Sequence, residues 1–156
     1  MIQTNTNIKK LIQFALKLLA KRDYFKDEIK NKLKEKNAIQ DEIDYVVEYI
    51  QKFGYLDDGK VLEKYADETA RKGKGVIFLK KKLYEKGCSG LTDIFNIEEF
   101  YTPLMEEKAA MAFCYKFRKE EYETIRKKLI SRGFSFSTVI KVLKNLKKNG
   151  IAEYED

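Results

Sequence analysis

Apolar residues recur along this chain at the spacing of amphipathic helices. Ile8, Leu11, Ile12, Ala15, Leu16 and Leu19 follow a 3.6-residue period and predict a first helix. Ile29 and Leu33 set the apolar stripe of a second, from about Phe25 to Lys36, and Ile43, Val46, Val47 and Ile50 lie on one face of a third. Asp41 is placed to cap that third helix, and Gly54 to end it in the left-handed conformation that glycine tolerates. Near the other end, Val139, Val142, Leu143 and Leu146 repeat the third pattern without a gap, with Ser137 at the cap and Gly150 at the end. Gly54-Tyr55-Leu56-Asp57-Asp58 stops one helix, supplies two apolar residues for packing and offers an acidic cap to the next. No sustained alternation is bounded by hairpin turns, so no strand is predicted.

The second-helix pattern occurs three times. Ile29-Lys30-Asn31-Lys32-Leu33 returns as Leu79-Lys80-Lys81-Lys82-Leu83 and as Ile125-Arg126-Lys127-Lys128-Leu129. Lys36-Asn37, Lys86-Gly87 and Arg132-Gly133 then occupy equivalent places. A period near 50 residues is that of a helical repeat. The expectation is an all-α fold of three tandem three-helix repeats, over residues 1–56, 57–103 and 104–156, the last with a short acidic tail. The middle copy is the weakest. Its third helix aligns Ile94 and Ile97 with Ile43 and Val46 only after a one-residue insertion. Pro103 then breaks the chain before a helix from about Leu104 to Lys119.

Composition narrows the class. At 44% hydrophobic and 37% charged residues, the chain is too apolar for a disordered protein and too charged for a membrane one. No apolar run reaches membrane-spanning length and no signal-peptide pattern opens the chain, so a reduced, cytoplasmic protein is expected, with Cys88 and Cys114 as free thiols. There is no histidine, the two cysteines are far apart, and no nucleotide-binding glycine motif is present. Lys72-Gly73-Lys74-Gly75 is too short for one and follows a helix. The commonest general base and metal ligand is therefore absent, and a protein without catalytic activity, metal or other cofactor is expected.

The net charge of +7 invites a polyanionic partner, and its distribution sharpens the point. Residues 71–86 carry Arg71, Lys72, Lys74, Lys80, Lys81, Lys82 and Lys86 against Glu85 alone, whereas residues 93–107 hold five acids and no base. On a helix, Lys81 lies about 200° around from Leu79, with Lys80 and Lys82 flanking it. Lys127 stands likewise against Ile125, beside Arg126 and Lys128. A merely solvated face mixes signs, so the recurrence of bases without acids points to a surface that meets a partner. Lys36, Lys86 and Arg132 fall in last turns, where a cation favours the helix dipole. Arg71-Lys72-Gly73-Lys74-Gly75 fits either an anion-binding loop at the next helix N-terminus or a plain connector. A direct nucleic-acid binder would use the last helix, with Lys141, Lys144, Lys147 and Lys148 on the backbone. That helix offers mainly lysine rather than the Arg, Asn or Gln that read bases. Most aromatic residues, Tyr65 and Phe113 among them, fall on apolar stripes and are expected in the core, with Phe134 and Phe136 packing beside the third unit's last turn.

With these residues in view, the chain resembles the RecX regulators. The resemblance is carried by Leu18-Leu19-Ala20-Lys21-Arg22, by Glu28 through Leu33, and above all by Gly54-Tyr55-Leu56-Asp57-Asp58. Arg71-Lys72-Gly73-Lys74-Gly75 with Leu79, Leu83, Lys86 and Gly87 follows, and then Leu129 with Arg132-Gly133-Phe134. The set runs in family order from about residue 8 to 150. Lys82 departs from it, standing where the family commonly has an acid, and residues 88–103 fit poorly. The resemblance implies a curved, elongated array of three repeats that binds RecA–single-strand DNA filaments and inhibits their ATP hydrolysis and strand exchange. The partners it implies are the RecA filament and single-stranded DNA in or near it, met by a monomer with no membrane contact. The expected contacts are Arg71, Lys72, Lys74, Lys80, Lys81, Lys82, Arg126, Lys127, Lys128 and Arg132.

Overall fold

A computed structural model of the chain describes residues 2–148, with side chains from Thr6 onward. Among these residues every regular element is helical. In chain order they are α1 (Ile2–Lys21), α2 (Lys26–Glu35), α3 (Gln40–Lys52), α4 (Asp58–Arg71) and α5 (Val76–Glu85). The short α6 (Leu91–Ile94) and α7 (Ile97–Phe100) follow, then α8 (Pro103–Lys116), α9 (Tyr122–Ser131) and α10 (Phe136–Lys148). The all-α expectation holds. The helices gather into two compact units, one of residues 1–62 with 86–88, the other of residues 63–85 with 89–156.

In the first unit the periodic residues meet as predicted. Leu11 and Ala15 of α1, Ile29 and Leu33 of α2, and Ile43, Val46, Val47 and Ile50 of α3 form one buried cluster with Tyr24 and Leu56. In the second unit, Ile125 and Leu129 of α9 meet Val139, Val142, Leu143 and Leu146 of α10 over Ala109, Ala110 and Cys114 of α8. Each such Leu, Ile or Val contributes roughly 1.5–3 kcal/mol through burial. α2, α5 and α9 have the same length and bury the same two positions: Ile29 and Leu33, Leu79 and Leu83, Ile125 and Leu129. Each is followed by a left-handed residue at the place the repeats assign: Asn37 (φ 61°), Gly87 (φ 74°) or Gly133 (φ 79°).

The helix boundaries correct several expectations. α3 begins at Gln40 with Ile39 as its cap residue, because Glu42 Oε1 reaches back to accept from the Ile39 N–H at 3.1 Å; Asp41 lies inside the first turn. α10 begins at Phe136, and the cap is Ser135, whose hydroxyl accepts from the Thr138 N–H at 3.4 Å, rather than Ser137. The expected break falls at residues 101–102, and Pro103 starts α8 as its first residue, one position before Leu104, where a missing N–H costs nothing and the Thr102 hydroxyl caps the turn. That helix ends at Lys116, three residues short of Lys119. The expected third helix of the middle repeat is two single turns. Phe95 and Asn96 are extended, and the Asn96 side chain accepts from Glu98 N–H to start the second turn. Ile97 is buried there while Ile94 is 76% exposed. Phe134 packs in the core but Phe136 is 67% exposed, because the cap at Ser135 turns the first residue of α10 outward. Tyr65 and Phe113 are half-buried. Gly54 ends α3 as expected, with φ of 77°. Gly150 and the acidic tail lie outside the described residues.

Candidate functional site

All ten candidate cations belong to the second unit, and the loop between α4 and α5 is where its elements converge. α4 ends in a left-handed Gly73 (φ 66°), with Gly73 N–H donating to Ala70 O and Lys74 N–H to Thr69 O, both at 3.0 Å. The chain then runs against the loop after α9. Gly75 N–H donates to Arg132 O and Ile77 N–H to Gly133 O, each at 3.0 Å. A Cβ on Gly75 would stand 2.3 Å from both Gly133 O and Phe134 Cα, so only glycine allows this approach.

An anion does occupy the N-terminus of α5, and the protein supplies it. Glu106 of α8 is 2% exposed. Its Oε2 accepts from Val76 N–H at 2.6 Å, and its Oε1 accepts from Ser135 N–H at 3.2 Å and from the Ser135 hydroxyl. One carboxylate thus caps two helices, α5 and α10. The Tyr101 hydroxyl, whose acidity burial suppresses with help from nearby Glu106, donates to Lys74 O at 2.7 Å. Of the two readings open for Arg71–Gly75, the connector fits its backbone: the N–H groups of residues 73–77 are all satisfied internally. The first unit uses the same device, since Asp58 Oδ1 accepts from Lys26 N–H at 2.8 Å, at the start of α2. The role of Glu106 was not legible in the sequence, where it sits in an acidic run, and the half-buried Asp58, offered as a cap for the next helix, turns back to α2 instead.

The cations divide by what they already hold. Arg132 Nε donates to Gly73 O at 3.0 Å and its Nη2 to Lys72 O at 2.7 Å, while the guanidinium lies 4.8 Å from the Phe113 ring centroid. Lys72 pairs with Glu68 at 2.6 Å, which holds the Glu68 carboxyl below its usual range. Lys74 lies over Phe78 and Lys82 over Tyr65. Arg126 pairs with Glu123 at 3.4 Å, and Lys128 with Glu120 at 2.9 Å while lying over Phe117. Arg71, Lys80, Lys81 and Lys127 make no hydrogen bond, ion pair or ring contact among the described residues, and all four are exposed. No hydrogen bond or ion pair joins the Lys80–Lys82 group to Arg126–Lys128. Lys141, the first cation of the last helix, is tied to Glu107 at 2.9 Å.

Arg71, Lys72 and Arg132 do come together, at the rim of a cleft of about 280 Å³ whose other walls include Phe113, Lys116 and Phe117. Lys116 was not among the sequence candidates, although its place one turn after Ala112 and Phe113 on a half-apolar helix was a usable signal. Cys88 and Cys114 are free and buried, and burial pushes both thiols up to about 12. Among the described residues no group of three His, Cys, Asp or Glu side chains is placed to hold a metal, and no helix is long and apolar enough to cross a membrane.

The second unit therefore presents an all-helical scaffold in which one acid, Glu106, is turned inward as a cap and the unengaged cations Arg71, Lys80, Lys81 and Lys127 face out. Known proteins with this sequence pattern are regulators. The chain is 27% identical to regulatory protein RecX of Pelodictyon phaeoclathratiforme, over 92% of each chain. It is 28% identical to regulatory protein RecX of Legionella pneumophila, over 90% of this chain and 97% of that one. The crystal structure of RecX from Lactobacillus salivarius superposes with a TM-score of 0.80 over 92% of this chain and 99% of the other, at 18% identity, and so has the same fold. No family model matches the chain. Over nine-tenths of its length the chain is similar in sequence to the RecX regulatory proteins, and it shares their fold.

Proposed function

We propose that this chain regulates the RecA recombinase by binding the RecA–single-strand DNA filament, inhibiting its ATP hydrolysis and strand exchange. The similarity to RecX regulators over nine-tenths of the chain supports the regulatory role. The observation that supports the mode of binding is the set of cations left unengaged on the outer sides of helices, Lys80 and Lys81 on α5 and Lys127 on α9. Arg71, Lys72, Lys74, Lys82, Arg126, Lys128 and Arg132 extend that surface. A basic face is steered toward a DNA-bearing filament. Several weak patches on one chain raise the effective concentration at each further contact, so a small monomer clamps a long polymer. In this reading the protein works in the cytoplasm as three linked helical repeats, without a cofactor and without chemistry of its own.

The test is RecA-catalysed strand exchange titrated with a variant in which Lys80, Lys81 and Lys82 are all changed to Gln. Inhibition should weaken strongly while the melting temperature holds, because exposed side chains of this kind change stability by about half a kcal/mol or less each. The salt dependence of binding should flatten by roughly 0.7 of a log unit per lost single-strand phosphate contact. Changing Arg126, Lys127 and Lys128 should act alike, whereas changing Lys9 and Lys10 should matter little. A folded Lys80–Lys82 variant that inhibits as well as its parent refutes the assignment of this surface.

A further inference from the structure

The cleft beside Gly73 has more structure than a basic patch needs. Its walls come from the end of α4 and the loop after it (Ala70, Arg71, Lys72, Gly73), from one face of α8 (Ala109, Ala112, Phe113, Lys116), and from Phe117 and Arg132. Positions 109, 112, 113 and 116 recur at helical spacing, so α8 carries this face in addition to the one that buries Ala110 and Cys114. The empty space exists because Ala70, Gly73, Ala109 and Ala112 are small. A Cβ on Gly73 would already stand 3.3 Å from Phe113 and 3.6 Å from Arg132 Nη2. Four of the ten lining residues are cations and none is an acid. Phe113 and Phe117 lie side by side, with ring centroids 5.0 Å apart and planes tilted by 50°.

We propose that this cleft seats one nucleotide of a single polynucleotide strand, its base against Phe113 and Phe117 and its phosphate among Arg71, Lys72 and Lys116. The chemistry of the walls selects that ligand. An inorganic anion would need the cations but not two phenyl rings, and an apolar ligand would need the rings but not a rim of four cations. At about 280 Å³ the cleft lies at the small end of ligand sites, large enough for one ring system and too small for a protein helix. Every base presents a π-face, so stacking on phenyl rings joined to phosphate contacts suits a strand bound without regard to sequence. Arg132 is held in advance by its bonds to Gly73 O and Lys72 O, so little order remains to be gained there on binding. Lys116 makes no hydrogen bond, ion pair or ring contact among the described residues, while Arg71 and Lys72 both stand near Glu68, whose carboxylate a phosphate would displace. The proposal deepens the filament reading, on which it rests for the source of the strand.

The experiment uses the full chain without RecA. Fluorescence anisotropy compares a thymine oligomer with an abasic oligomer of the same length, and thymidine monophosphate is the competitor. The parent should bind the thymine oligomer roughly ten-fold or more tightly than the abasic one, the scale of a base stacked on an aromatic side chain. Ala112→Trp fills the cleft from an exposed position and should abolish that preference with an unchanged melt. Lys116→Glu, on the rim, should weaken both oligomers, and a 5-iodouracil oligomer should photocross-link to Phe113 or Phe117. Equal affinity of the parent for the two oligomers, or a preference that survives in a folded Ala112→Trp, overturns the proposal. A monophosphate that competes as well as the oligomer does so too, by making the ligand a free nucleotide. Strand exchange measured in parallel separates the two readings. A parent that shows the base preference yet leaves RecA uninhibited refutes the regulator, while an inhibitory parent without the preference refutes the cleft.

Discussion

Removing the Glu106 carboxylate should be among the most damaging single changes in the second unit. Glu106→Ala deletes the acceptor for Val76 N–H, Ser135 N–H and the Ser135 hydroxyl at once, from a position 2% exposed. A buried donor left without a partner costs about 1–3 kcal/mol, and losing a negative charge at a helix N-terminus adds about 0.3–1 kcal/mol for each of α5 and α10. Two stranded backbone donors therefore bring the range to about 3–8 kcal/mol. The neighbouring pocket of about 100 Å³, lined by Tyr101, Pro103 and Ser137 among others, gives water a way to satisfy the orphaned groups, so the lower half of that range is expected. Glu106→Gln keeps one acceptor but turns an amide donor toward the other N–H, and about 2 kcal/mol is expected. Both are large fractions of the 5–15 kcal/mol that holds a domain together. Urea unfolding followed by circular dichroism at pH 7, for parent, Gln and Ala, measures the series. If both variants lie within about 0.5 kcal/mol of the parent, the carboxylate is not a structural cap and the account of this junction fails.

Gly75→Ala forces a methyl to 2.3 Å from backbone atoms of Gly133 and Phe134, so the two loops must part and their mutual hydrogen bonds weaken. A loss of at least about 2 kcal/mol is expected in a thermal melt, while Gly90→Ala, where a Cβ meets nothing within 4 Å, serves as the near-neutral control. Cys88 and Cys114, held protonated by burial with thiols near 12, should resist iodoacetamide at pH 8 in the native protein and react fully in denaturant; rapid native alkylation of either refutes its burial. Because those values lie above the unfolded thiol's 9, the folded state binds more protons between pH 9 and 12. Their contribution is present below pH 9 and is lost as pH rises through that window, so the urea midpoint should fall there, and fall less in a Cys→Ala double variant.

Sequence periodicity located α2, α3, α5, α9 and α10 because their stability comes from one buried stripe, and a stripe such as Val139, Val142, Leu143 and Leu146 is written in the order of residues. It failed at residues 91–100, where each turn is set by a single cap such as Asn96 and no stripe is long enough to read. Helix starts were off by one or two residues for a related reason. Ser135 and Ser137, or Ile39 and Asp41, differ only in which backbone N–H a side chain reaches. The candidate site was legible in its cations and not in their commitments. Arg126 and Lys127 are neighbours in the same motif, yet one is paired with Glu123 and the other is not. What sequence could not supply at all was Glu106, since its partners are 30 and 29 residues away.

Arg132 makes the difference between a charge and a contact concrete. As a cation before a helix-ending glycine it reads as a cap for α9, but its guanidinium instead bridges to the carbonyls of Lys72 and Gly73, at the end of α4. A planar fork with five donors can bond two carbonyls on one side and still direct three N–H groups elsewhere, where an ammonium would have one left. The same side chain therefore holds the loop that carries Arg71 and Lys72 and forms one wall of the cleft they rim. Removing it would disturb binding through the loop as well as through the lost charge, so weakened binding in an Arg132 variant does not by itself assign Arg132 to the interface. Lys80, Lys81 and Lys127 carry no such double duty, which makes them the cleaner probes of what the basic surface meets.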